Sequence, residues 1–177
     1  MLDFLANNIK NYNVDINNVI YIGHSAGGRI AFNLAVIAKT VNSSIPYPKG
    51  IFTMSSAPVF DIFNDELSNA NLTDLSVLTY TKVLLISGSN DKIIDKSVQL
   101  AIYDSLPDDI FKEIIYFTDK GHYFPMSMTS GVGLIDNGIK IIVKPLRIND
   151  YGITKYDKEL WEIYDKFEDL VFKQKQK

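Results

Sequence analysis

The chain has 177 residues, of which 46% are hydrophobic and 22% charged, the make-up of one ordinary globular domain and not of a disordered or fibrous segment. A net charge of -3 gives no electrostatic footprint for nucleic acid, and no apolar run reaches the roughly 18 residues that a membrane-spanning helix needs. With no cysteine and only two histidines, thiol chemistry and disulfides are excluded and a histidine-rich metal site is disfavoured.

Leu2, Leu5 and Ile9 recur at helical spacing, so residues 2–10 read as a short amphipathic helix and not as a basic, apolar leader. An Asn/Asp-rich turn through Asn13, Asp15 and Asn17 precedes Val19-Ile20-Tyr21-Ile22, a buried strand that Gly23 interrupts. Residues 26–39 predict a helix with Ile30, Leu34, Ile37 and Ala38 on its apolar side. A Ser/Pro turn leads to a second strand at 51–54, and residues 56–81 read as loop with a short helix. The third strand, 82–87, ends in the turn Gly88-Ser89-Asn90-Asp91; a helix over 95–106 carries Val98, Leu100, Ala101 and Ile102. The fourth strand, 113–117, is followed by a turn holding Gly121-His122. Ile139 to Val143 read as an extra strand that Pro145 confines to an edge or ends.

From about Tyr156 to Lys173 a helix is predicted, with Leu160, Tyr164, Phe167 and Val171 as its stripe. Thr154 and Asp157 resemble a capping box at its start, and the terminal lysines suit its negative end. Strand–helix alternation with short links predicts an α/β fold, a mostly parallel sheet flanked by helices.

Gly23-His24-Ser25-Ala26-Gly27-Gly28 lies between the first strand and the first long helix. A G-x-S-x-G sequence in that setting predicts a nucleophile elbow, in which the serine occupies a strained turn and its neighbours at 23 and 27 must be small. The helix behind it aims backbone N–H groups and positive dipole at a developing oxyanion, with the Ala26 N–H as one donor. The motif alone is short; a buried strand before it and a helix after it are what give it weight. A serine nucleophile needs a base and the base an orienting acid. His24 is adjacent to Ser25 in a sharp turn, so its side chain should point away from the serine, which leaves His122. On its own, a histidine in a glycine-flanked loop is ordinarily a surface residue; with the elbow, its place at the sheet's carboxyl edge is what the chemistry requires. Asp91 directly follows the third strand and completes the order Ser…Asp…His, while Asp61 and Asp95 also follow strands and stay open as alternatives.

Together Ser25 in Gly-His-Ser-Ala-Gly-Gly, Asp91 in Gly-Ser-Asn-Asp and His122 in Lys-Gly-His-Tyr resemble an α/β-hydrolase. The likeness is to the small esterase and lipase branches: carboxylesterases, kynurenine formamidase-like and dienelactone hydrolase-like proteins. It covers roughly residues 2–125 and implies hydrolysis of a small-molecule ester or related acyl substrate, without a cofactor. Family members carry further strands before the elbow, and one loop among them gives a second oxyanion donor, often His-Gly-Gly-Gly-like. Neither stands ahead of Ser25 here, so the expectation is a single α/β-hydrolase domain over 1–177 that lacks the N-terminal strands. The first strand would then be an open edge unless another copy of the chain pairs with it or residues 131–150 fold back onto it.

The expected activity is that of a serine carboxylic ester hydrolase, with Ser25, Asp91 and His122 catalytic and Ala26 in the oxyanion hole. Tyr123, Phe124 and Met126 are weaker candidates for an acyl pocket. The competing readings are an amide or formamide hydrolase, and an impaired hydrolase remnant that binds or assembles through its open edge. No nucleic acid, membrane span or metal is expected, and the absence of cysteine and of a leader points to the cytoplasm.

Overall fold

The computed structural model describes residues 15–59, 71, 73–122, 124, 132–133, 142–143 and 155–173. Four strands, β1 (Ile20–His24), β2 (Gly50–Met54), β3 (Lys82–Gly88) and β4 (Lys112–Phe117), form a sheet in the order β1-β2-β3-β4, each parallel to its neighbour. Helix α1 (Ala26–Thr40) joins β1 to β2, a 3-10 turn (Leu75–Val77) lies between β2 and β3, and α2 (Lys96–Ser105) joins β3 to β4. Sequential strands in one direction with crossovers of one hand bring α1 and α2 to the same face of the sheet. The opposite face is left to the C-terminal helix, α3 (Lys155–Phe172).

The period of two along each strand divides the core accordingly. Ile51, Val83 and Leu85 meet Phe32, Ala35 and Val36 of α1 and Ile102 of α2 on one side. On the other, Phe52, Met54, Leu84 and Ile86 meet Leu160, Phe167 and Val171 of α3. All of β2 is buried, as is β3 beyond Lys82, which is why both read as continuous apolar runs without alternation. Each fully buried Phe or Leu contributes about 2–3 kcal/mol. At the start of β2, Gly50 lets α3 approach: a Cβ there would lie 2.8 Å from Val171 Cγ2 and 3.1 Å from the Phe167 ring.

Several local expectations shift. β1 runs through Gly23 to His24 and is not interrupted by the glycine. Along α1 the expected Ile37 and Ala38 are buried, together with Gly28, Ala31, Phe32, Ala35 and Val36, and Leu34 packs against the same core, while the expected Ile30 faces out at 41% exposure. Along α2, Leu100 is exposed and the polar Gln99 is buried. The last turn of α3 holds no basic residue, and Lys173 just beyond it pairs with Asp169 at 2.6 Å. Val132–Gly133 and Ile142–Val143 pair with one another in a separate antiparallel ladder and do not extend β1, which stays at the edge among the described residues. Thr154, the predicted helix at 2–10 and most of the 56–72 connection lie outside the described residues. Among the described residues no helix is long and apolar enough to cross a membrane.

Candidate active site

Ser25 follows β1 directly, with φ 53° and ψ -119°. A left-handed φ is costly for a residue with a Cβ and persists only where its surroundings impose it. Here they do. The Ser25 N–H donates to Met54 O at 3.0 Å, and its carbonyl accepts from Gly28 N at 3.0 Å and Ala57 N at 2.9 Å. A Cβ at Gly23 would fall on the carbonyl of Gly27, so the turn closes only with glycine at 23. Gly27 does not carry the matching constraint, since a Cβ there meets nothing within 4 Å. That role passes to Gly28, where a Cβ would stand 2.6 Å from Ser56 Oγ and 2.8 Å from Ser56 Cβ. The elbow therefore leans on the segment after β2, and the small residue required is one position later than expected.

That supporting segment is itself unusual. Because β1 and β2 end in register, His24 opposite Met54, Ser55 occupies beside β2 the place that Ser25 occupies beside β1. Ser55 is also left-handed, with φ 45°, and its N–H donates to Ile86 O at 2.7 Å. Gln99, fully buried on α2, donates from Nε2 to Ser56 O at 2.8 Å. Neither Ser55 nor Gln99 was expected at the site, and only the placement of a glutamine inside an apolar helical stripe gave any signal.

On the far side of the sheet's carboxyl edge, the turn after β3 holds Asp91. Its Oδ1 accepts the N–H groups of Ile93 and Ile94, both at 2.9 Å, and its Oδ2 accepts from His122 Nδ1 at 2.8 Å. Both side chains of the pair are buried, at 1% and 4% exposure. Burial raises the Asp91 carboxyl, but the Ile94 N–H, the His122 ring, the Ile93 N–H and the nearby Ser55 hydroxyl outweigh it and hold the group below its ordinary value. The Ser55 Oγ lies outside ordinary hydrogen-bond geometry, so its part is a dipole near the carboxylate and not a bond. Asp95 is instead the N-cap of α2, accepting the Ser97 N–H at 2.8 Å; Asp61 lies outside the described residues.

The loop that carries His122 is stitched to the turn after β3. Asn90 N donates to Lys120 O at 2.9 Å, and Asp119 N to Ser89 Oγ at 2.8 Å with Asp119 at φ 59°. A Cβ on Gly88 would fall on the Lys120 carbonyl, so the two loops cross at that glycine. From there the loop reaches back to β1: the His122 carbonyl lies 2.9 Å from His24 Nε2, and the two imidazole rings are 4.8 Å apart at 45°. His24, expected to point away from Ser25, points at the backbone of His122. Burial pushes its imidazole below the usual value; the bond to the His122 carbonyl and the Asp91 charge oppose that, and the His122 charge adds to it.

The structure brings Asp91 and His122 together directly and places the Ser25 elbow one residue from a side chain that touches His122. Ala26 opens α1, where its N–H has no intrahelical acceptor, and no acidic residue in the first turn offsets the positive end of the dipole. Phe124 is half buried with its ring 5.0 Å from Phe117, on the side of the core that α3 covers. Tyr123 and Met126 lie outside the described residues. No group of three His, Asp or Glu gathers as metal ligands among the described residues.

Solved structures are similar to this chain. Thermogutta terrifontis esterase 2, in a form phosphoramylated by tabun, aligns with 99% of this chain and 63% of its own at a TM-score of 0.59 and 14% identity. A predicted CIB-like hydrolase from Thermoplasma acidophilum aligns with 95% of this chain and 58% of its own (TM-score 0.49, 13% identity), and a Bacillus cereus carboxylesterase with 96% and 57% (TM-score 0.47, 17% identity). The chain thus spans about three-fifths of the length of these proteins. No curated protein matches it. With residues 6–131, more than two thirds of its length, matching the serine hydrolase (FSH1) family, the chain belongs to that family.

Proposed function

We propose that the chain hydrolyses carboxylic esters of small molecules by acyl transfer to Ser25. The observation that carries this reading is the buried Asp91–His122 pair at 2.8 Å, set at the same sheet edge as the strained serine. With His122 Nδ1 committed to Asp91, the proton on that nitrogen is fixed and Nε2 is left as the basic atom. Ser25 Oγ attacks the acyl carbonyl while His122 Nε2 takes its proton, and the Ala26 N–H at the head of α1 stabilises the tetrahedral oxyanion. The oxyanion collapses, the C–O bond to the alcohol breaks, and His122 returns the proton to the departing alkoxide. Water, deprotonated by the same nitrogen, then attacks the acyl-serine; His122 re-protonates Ser25 Oγ as the acid leaves. Asp91 stays ionised and stabilises the imidazolium at each transfer, in keeping with the lowered carboxyl.

Ester and amide substrates use the same groups, so the preference is read from a panel of p-nitrophenyl esters against aryl formamides. Turnover of the esters that disappears in Ser25→Ala supports the reading. Turnover of the amides alone moves the assignment to amide hydrolysis, and a folded chain that turns over neither sinks it.

A further inference from the structure

We propose that His24 is a positioning residue for the base, setting the place of His122 relative to the nucleophile; this rests on the reading of Ser25 and His122 given above. Three bonds that hold the His122 loop, Asn90 N to Lys120 O, Asp119 N to Ser89 Oγ and His122 Nδ1 to Asp91, run to the turn after β3. Ser25 directly follows β1, two strands from β3 in the order β1-β2-β3. Those bonds therefore orient the imidazole without setting its distance from the serine.

The bond from His24 does so. It ends on the main-chain carbonyl of His122 itself, 2.9 Å away and 98 positions along the chain, and it begins on the residue bonded to Ser25. A carbonyl oxygen only accepts, so His24 Nε2 carries the hydrogen. The tilted ring contact at 4.8 Å closes one side of the His122 imidazole and limits its swing. This hydrogen bond and the peptide unit from His24 to Ser25 tie base to nucleophile, where a displacement of about 1 Å costs on the order of a hundredfold in rate.

The chain has only two histidines, so in any His24 variant the one remaining imidazole belongs to His122. The test compares wild type with His24→Leu, which fills similar space without a donor, and His24→Gln, whose terminal N–H₂ keeps one; His24→Ala replaces the leucine variant should that not fold. Two quantities are read: kcat and KM for p-nitrophenyl acetate, and the ¹⁵N-edited signal of the His122 Nδ1–H. The proposal predicts about a tenfold to hundredfold fall in kcat in His24→Leu with KM within about twofold. It also predicts a His122 Nδ1–H line that broadens in His24→Leu, and recovery of both quantities in His24→Gln. A His24→Leu chain that keeps the wild-type line overturns it, as does a glutamine variant no better than leucine. If wild type itself does not hydrolyse the ester, the ester reading has failed, and the imidazole line alone still decides whether His24 holds His122.

Discussion

At Ser25 the backbone is strained, and its supports are close approaches of the main chain: Gly23 against the Gly27 carbonyl, Gly28 against the Ser56 side chain, and the Ser25 carbonyl under Ala57. At Asp91, two strands away along the same edge in β1-β2-β3 order, φ is not left-handed and the supports are side-chain hydrogen bonds, two from backbone N–H groups and one from His122. One half of the site depends on atoms that are missing, the Cβ atoms of glycine. The other depends on atoms that are present. The elbow should accordingly fail by steric addition, with folding and activity lost together, and the acid–base pair by exchange of a single atom, with activity lost and the fold kept.

Asp91→Asn is the sharpest form of that contrast. The amide keeps the shape of the turn but no longer holds the His122 tautomer, and kcat on an ester should fall by roughly 10³–10⁴, about 4–5 kcal/mol of barrier, while folding stability falls by less, losing only what the lowered carboxyl contributes at neutral pH. Equal losses of stability and rate would erase the distinction between the two halves. Gly23→Ala should do the opposite, costing about 3 kcal/mol of folding stability by urea titration because rigid backbone stands where the methyl must go. Gly28→Ala should cost about 1–2 kcal/mol, the crowding of Ser56 being partly offset by alanine's better helix propensity. Gly27→Ala, with open space, should gain about 0.5–1 kcal/mol. A destabilised Gly27→Ala would show that the motif's second glycine is needed after all.

Acid titration separates the halves further. The Asp91 carboxyl is held below its ordinary value in the folded chain, so near and below pH ~4 the unfolded chain binds the proton more readily. Its contribution to stability is full above that pH and is lost as pH falls through the lower folded-state value. Urea midpoints measured from pH 7 down to 3 should therefore drop less steeply in Asp91→Asn than in wild type. Parallel curves would mean that the carboxylate is not stabilised by its partners.

Much of this arrangement is legible in the chain. Apolar runs place all four strands of the sheet to within a residue or two; in β2 and β3 this is because strands buried on both faces need unbroken β-branched and aliphatic residues, whereas the expected burial of β1 is only partial, with Ile22 51% exposed. The stripe Leu160, Phe167, Val171 finds α3, and the chain order Ser25, Asp91, His122 anticipates the pair that the fold brings to 2.8 Å. Other features stay hidden because they depend on which loop crosses which strand. His24 and His122 meet only because the loop after β4 doubles back over the sheet edge, and no local pattern encodes that path. Ser55 adopts φ 45° with a side chain that gives no hint of it, its conformation fixed by register with Ser25. Likewise the division of labour between Gly27 and Gly28 turns on Ser56, which lies beyond the motif.

The central claim, a competent nucleophile at the elbow, is tested most directly by reacting the purified chain with a fluorophosphonate and reading the adduct by intact mass. The account predicts one stoichiometric adduct on wild type, mapping to Ser25, none on Ser25→Ala, and labelling slowed by about 10³-fold or more in Asp91→Asn. A folded wild-type chain that takes no label, or a label that persists in Ser25→Ala, would contradict it.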